Sequence, residues 1–236
     1  MTALGAFLTD QAMLGTLALT LGAYATAATA WQRARRHPLL NPTLAGIVLV
    51  AAALLLLRMD IGAYQRAASP LHLLLGPAVV ALAVPLYRHA GLLRERALLL
   101  LAALLIGTSA TTAATLSLGA GIGASAVTLL SLDPKSATAG VSMAISERIG
   151  GMPSLTAVVT VLAGIVGAVA GPSLLNALGL RDPLARGFGM GLASHGIGTA
   201  RAFQESELAG TAAGLAMGLN AVLTALLVPL LRPLLP

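Results

Sequence analysis

Long apolar runs, separated by short clusters that hold the charges, set the rhythm of this chain. About 20 apolar residues cross the hydrocarbon core of a bilayer, so each charge-free run is read as a candidate crossing. Residues 11–32 are the first and 38–57 the second. Residues 67–87 are the third, and the pattern predicts breaks there at Gly76-Pro77 and at Pro85. Residues 97–132 run for 36 positions without a charge, too long for one crossing. Gly119, Gly121 and Gly123 divide this run into a full helix to Leu118 and a short element over 120–132. A second short element spans 134–147. Residues 149–180 contain a full crossing, 187–200 are short and glycine-rich, and 208–231 are the last crossing.

The pattern predicts an all-α integral membrane protein of about 8–9 transmembrane or half-length helices, in one membrane domain over 1–236. Composition agrees. Charged residues are 9% and hydrophobic residues 57%, against roughly 25% charged in soluble domains. So few charges cannot cover a water-facing surface. The net charge of +6 comes from 13 Arg and one Lys. With 3% aromatics and the arginines clustered between apolar runs, it points to membrane topology and away from nucleic acid. There is no Cys, which excludes disulfides, thiol catalysis and Cys-based metal sites. The first 31 residues lack a basic n-region, Asp10 precedes the apolar stretch, and Arg33, Arg35 and Arg36 follow it. They read as an uncleaved first helix with its N-terminus outside. Heavy use of Ala, Leu, Gly and Arg suggests a bacterial gene, hence the bacterial cytoplasmic (inner) membrane as the expected location.

If 120–132 and 134–147 both cross, the basic residues divide ten to four. Arg33, Arg35, Arg36, Arg88, Arg94, Arg96, Lys135, Arg181, Arg186 and Arg232 then lie inside, and Arg58, Arg66, Arg148 and Arg201 outside. The positive-inside rule prefers this arrangement, with nine elements. An internal repeat is also legible. Asn41-Pro42-Thr43-Leu44-Ala45 resembles Met152-Pro153-Ser154-Leu155-Thr156, 111 residues on, and Ala81–Pro85 has a counterpart in Gly191–His195. The expectation is two inverted repeats, 12–118 and 134–232, joined by a linking short element over 119–133. Paired broken segments in such repeats mark secondary-transporter sites near the bilayer midplane.

Two stretches carry candidate chemistry. In Leu132-Asp133-Pro134-Lys135-Ser136, Pro134 suits a first helical turn and Asp133 an N-cap. The sole lysine, set between two apolar half-length elements, would join a helix N-terminus and a hydroxyl in a carboxylate site at Pro134, Lys135 and Ser136. The plain alternative is a capped turn whose Lys snorkels to water. The second stretch, Gly187 to Arg201, has five glycines in twelve residues over 187–198. Ser194, His195, Gly196, Gly198, Thr199 and Arg201 set polar groups into that break. Such backbone survives in a membrane only when buried in protein or lining a wet cavity. His195 can also carry a proton near neutral pH. The alternative is a tight packing seam with a hydrogen-bonded His. Gly76, Pro77 and Asn220 complete the candidate set for substrate binding, with Asn220 readable as site wall or as helix glue. Ser194 and His195 are adjacent and point about 100° apart on a helix, so a catalytic dyad is not expected. No metal-ligand spacing and no cofactor motif appears, and the chain is not expected to be an enzyme. Glycine stripes at Gly210, Gly214 and Gly218 and at Gly167 and Gly171 suit close helix packing, or a subunit interface in a homodimer.

Three segments, in order, resemble the LrgB/CidB family over essentially the whole chain. They are Leu75-Gly76-Pro77 through Val84-Pro85-Leu86-Tyr87, Ser131-Leu132-Asp133-Pro134-Lys135-Ser136 with Gly150-Gly151-Met152-Pro153-Ser154, and Ala193-Ser194-His195-Gly196-Ile197-Gly198-Thr199-Ala200-Arg201. Ala137-Thr138-Ala139-Gly140 departs from the Thr-Thr-Pro type run usual there. The resemblance implies two functions. One is antiholin-like modulation of murein hydrolases with a small LrgA/CidA-like membrane partner. The other is transport of small carboxylates, since plastid relatives export glycolate and glycerate and bacterial relatives are tied to pyruvate uptake. The polar broken segments and the repeat favour transport, with a proton accompanying the anion.

Overall fold

A computed structural model describes residues 11–35 and 40–231. Every regular element among them is helical. Five helices are long and apolar enough to cross a membrane: Gln11–Arg33, Ser69–Arg88, Ala97–Gly121, Pro153–Ala177 and Glu207–Leu230. Their outward faces are aliphatic, as Leu98 at 83% exposure illustrates, while the buried positions include Thr108, Ser142, Thr156, Thr160, Asn220 and Thr224. Polar inside and apolar outside is the polarity expected when lipid is the solvent. The chain forms two compact units, Met1–Ala83 and Val84–Pro236.

The first unit holds α1 (Gln11–Arg33), α2 (Pro42–Leu56), α3 (Ile61–Ala67) and α4 (Ser69–Ala81). Asn41 caps α2 by accepting from the Thr43 and Leu44 amides, with Pro42 in the first turn. Asp60 caps α3 the same way. A hydroxyl pair, Thr20 with Tyr64 at 2.8 Å, ties α1 to α3. The expected second crossing starts at Pro38, and Pro38 and Arg36 lie outside the described residues, as does Arg232. In the third crossing α4 runs through Gly76-Pro77 unbroken, and the interruption falls at Leu82, ahead of α5 (Ala83–Arg88). Pro85 offers no amide to the carbonyl of Ala81, so the ladder is cut one turn before the proline and not at it.

The second unit continues with α6 (Ala90–Glu95), α7 (Ala97–Gly121), α8 (Ala126–Leu132), a 3₁₀ turn (Asp133–Ser136), α9 (Ala139–Ile149), α10 (Pro153–Ala177), α11 (Pro183–Phe203) and α12 (Glu207–Leu231). Leu93, Leu100, Leu184, Phe188 and Ala212 share one cluster, which sets the starts of α7, α11 and α12 at a common end. Val228, near the last turn of α12, packs with Leu130, Ile145 and Ile149 at the opposite end.

The three short elements expected to cross, 120–132, 134–147 and 187–200, fold as two hairpins. The turn between α8 and α9 reaches only mid-depth, where the Ser136 carbonyl accepts from Asn220 near the middle of α12, and the arms return to one cluster, in which Leu130 and Ile149 meet. Ser131 at the end of α8 accepts from the Met152 amide and the Thr156 hydroxyl, and that hydroxyl also reaches Ser146 on α9. Helices α8 and α9 therefore form a hairpin that enters from the Val228 end and leaves by it. Helix α11 reverses too. Arg186 in its first turn donates to Glu205 beyond its last turn, Nε to Oε2 at 2.9 Å. A straight helix would hold residues 19 positions apart at about 28 Å. The reversal sits at His195, whose φ of 41° and ψ of −133° are non-helical.

These hairpins correct the side assignment of the charges. Arg186 and Arg201 both reach Glu205, and Arg88 reaches Glu207, so all three share one end, although Arg201 was expected opposite the other two. Arg94, Arg96 and Arg181 flank helix ends on that same side, and among the described residues of the unit Arg148 is the one arginine at the Val228 end. Lys135 is not in a surface loop, because its turn lies between the two ends.

Candidate functional site

The tips of the two hairpins come together inside the second unit. Asn220, near the middle of α12 and fully buried, joins them. Its Nδ2 donates to the Ser136 carbonyl at 2.9 Å and to the Leu192 carbonyl at 3.2 Å, while its Oδ1 accepts from Thr108 near the middle of α7 at 2.7 Å. One side chain thus ties the first tip, the second tip and two spanning helices at mid-depth.

The first tip is the turn Asp133–Ser136. The Pro134 carbonyl accepts from Ser142 at 2.7 Å, which fixes the turn on α9. Pro134 and Ser136 are buried, and Lys135 is partly so. The Lys135 ammonium donates to the Thr115 hydroxyl of α7. It faces an open groove of about 640 Å³ lined by Thr111, Thr115, Gly119, Leu132 and Val159 among others. Lys135 is the only charged group in that lining. Its cation therefore sits at the wall of an open, largely apolar groove edged by threonines.

The second tip is Ser194-His195-Gly196. Positive φ at a non-glycine residue is uncommon and must be enforced by its surroundings. Helix α10 supplies the enforcement. His195 Nε2 donates to the Thr160 carbonyl at 2.9 Å, the ring lies where Gly164 has no side chain, and Ser194 occupies the space a methyl at Gly167 would fill. The returning arm lies so close to the entering arm that a Cβ on Gly198 would come within 2.5 Å of the Met190 carbonyl oxygen. Thr199 donates to the His195 carbonyl at 2.8 Å, and Gly196 lies near the Met217 sulfur. Gly187 and Gly191 let α11 meet α12 backbone to backbone, because a methyl at either would overlap the Ala209 or Ala213 carbonyl. The glycines serve packing and reversal together.

Asn220 thus joins the turn that carries Pro134, Lys135 and Ser136 to the tip that carries Ser194 and His195, with Gly196, Gly198 and Thr199 on the returning arm of that tip; Lys135 lines the groove, whereas Ser194 and His195 pack against α10. Arg201 is placed elsewhere, at the basic end beside Glu205, 3.7 Å away. Gly76 and Pro77 belong to the first unit, on the exposed surface of α4. Thr108, Thr111 and Thr115 escaped the sequence reading, although their spacing marks one face of an otherwise aliphatic helix. Asp133, read there as an N-cap, makes no capping bond.

A family model described as the LrgB-like family matches residues 20–234. The chain belongs to the LrgB-like family. Among its relatives are two Bacillus subtilis (strain 168) proteins. Uncharacterized protein YxaC is 35% identical over 191 residues, covering 81% of this chain and 83% of its own. Uncharacterized protein YwbG is 33% identical over 201 residues, covering 83% and 86%. Holin-like protein CidB of Staphylococcus epidermidis is 29% identical over 168 residues, covering 71% and 73%. No solved structure matches the chain. Family and helices together make it a multi-pass membrane protein.

Proposed function

We propose that this LrgB-like protein is a secondary transporter of small monocarboxylates of the glycolate, glycerate or pyruvate type, with a proton travelling alongside the anion. The observation that carries the reading is the meeting of two broken segments, entered from opposite ends, at Asn220. Residues 97–149 and 153–203 are each a spanning helix followed by a hairpin, run in opposite directions. This pairing suits an inverted repeat, though not the one expected over 12–118 and 134–232. Non-helical backbone at membrane depth is tolerated where it lines a substrate path, and paired broken segments are its usual form. Lys135 supplies the cation for a carboxylate. The reading assigns no catalytic residue, since Ser194 is packed into Gly167 and His195 is bonded to Thr160, away from each other. The basic end is assigned to the cytoplasm of a bacterial inner membrane by the positive-inside rule. A homodimer completes the proposal.

A second reading has its own support. The Staphylococcus relatives are named holin-like protein CidB, which favours antiholin-like modulation of murein hydrolases with an LrgA/CidA-like partner. The two separate in liposomes holding this protein alone. Saturable uptake of labelled glycolate, glycerate or pyruvate is the expected result. Leakage of a trapped dye, with no saturable uptake of any of the three acids, would refute transport in favour of the holin-like role.

A further inference from the structure

Asp133 is the one buried acidic side chain among the described residues, at 2% exposure, and neither of its carboxylate oxygens has a hydrogen-bond partner. An ionised carboxylate in that position is costly unless an opposite charge balances it. The neighbouring elements offer few. Helices α8 and α10 carry no charged or titratable side chain, and α12 carries only Glu207, at its start. Helix α9 carries Glu147 and Arg148 at its far end. Helix α11 carries Arg186 and Arg201 at the basic end and His195 at its tip, the last donating to the Thr160 carbonyl. From α7, which has no charge, the Thr112 hydroxyl approaches Asp133 without hydrogen-bond geometry. The remaining group is Lys135, two residues along, held by Thr115 at the wall of the groove.

Asp133 and Lys135 therefore make the tip nearly neutral while the groove is empty. A carboxylate that enters and engages Lys135 leaves two anions facing one ammonium. We propose that Asp133 takes up one proton as an anion binds at Lys135, and that this proton crosses with it. The step balances: a carboxylate anion and a proton enter a site holding Asp⁻ and Lys⁺, and the loaded site holds neutral AspH, Lys⁺ and the anion, with no net charge moved. Release on the other side reverses both bindings. The inference rests on the transport reading and assigns the proton to Asp133, not to His195. Linkage makes it reciprocal, because protonation of Asp133 tightens anion binding by the factor by which the anion favours protonation.

The test uses the full chain in liposomes, with labelled pyruvate, glycolate and glycerate as probes. For the acid that wild-type protein exchanges best, an outside-acid gradient of one pH unit should drive accumulation of about tenfold and acidify an entrapped pH dye. Asp133→Asn, which mimics the protonated acid, should still exchange labelled for unlabelled acid, at a reduced rate, while gradient-driven accumulation and dye acidification disappear. Independently of any variant, adding the acid to wild-type protein should raise the infrared C=O band of a protonated carboxylic acid. Exchange by both forms with undiminished accumulation in Asp133→Asn overturns the inference alone. So does absence of that band, or accumulation driven by a sodium gradient instead. Loss of the pH response in His195→Gln but not in Asp133→Asn also overturns it, in favour of the histidine. Wild-type vesicles that exchange none of the three acids overturn the transport reading, and the inference with it.

Discussion

Asn220→Leu removes the amide that joins the two tips while keeping the branched, four-heavy-atom outline of the side chain. Four hydrogen bonds go: three between elements, to the Ser136 carbonyl, to the Leu192 carbonyl and from the Thr108 hydroxyl, and a longer one, at 3.5 Å, from Thr224 on the same helix. Interhelical hydrogen bonds in membranes average about 0.6 kcal/mol, and typical protein hydrogen bonds reach about 1.5 kcal/mol. Three of them give about 2–4 kcal/mol. The upper part of the range is expected, because the Leu192 carbonyl lies at the break before His195, where the helical ladder cannot take over. Reversible unfolding in mixed detergent micelles measures the loss, with wild type and variant compared at equal protein. Thr108→Val in a double-mutant cycle isolates its share, expected at about 0.6–1 kcal/mol of coupling. A loss below about 1 kcal/mol, or additive single effects in the cycle, would show that Asn220 does not hold the tips together.

Three further outcomes follow from the same geometry. The chain has no native Cys, so single introduced cysteines report sidedness; Arg181→Cys and Gln204→Cys should label from one side and Ile122→Cys from the other, whereas opposite labelling of 181 and 204 would mean that α11 crosses. Gly191→Ala should cost about 2 kcal/mol or more, because the methyl would meet the Ala213 backbone, while Gly189→Ala, with nothing within 4 Å, should be close to neutral in the same unfolding assay. Lys135→Ala should weaken uptake at least about tenfold, and Lys135→Arg should restore part of it, since a planar guanidinium fits a site shaped for an ammonium poorly; uptake by the Ala variant equal to wild type at equal abundance would refute a cation role.

Hydropathy and charge spacing already determine that this chain lives in lipid, because a long aliphatic run has one solvent it can face whatever the fold. They also locate the helices: residues 11–32, 149–180 and 208–231 contain Gln11–Arg33, Pro153–Ala177 and Glu207–Leu231 to within a few positions. Lys135 and His195 stand out for the same reason, since a titratable group in an apolar run is costly enough to draw notice wherever it points. Direction is a different matter. Residues 183–203 are as long as a crossing, and hydropathy is identical for a helix that continues and one that turns back. The reversal at His195 depends on Gly164 and Gly167 making room on α10, on Gly198 admitting the entering arm, and on Glu205 receiving Arg186. Each partner is remote in sequence from the turn or inert when read alone. Charge counting went astray at Arg201 for that reason, as parity along the chain assumes that every apolar segment crosses. Asp133 shows the same limit from the other side. Next to a proline, its residue type predicts a helix cap, and only the packing of α7, α9 and α10 around the turn leaves its carboxylate buried without a partner.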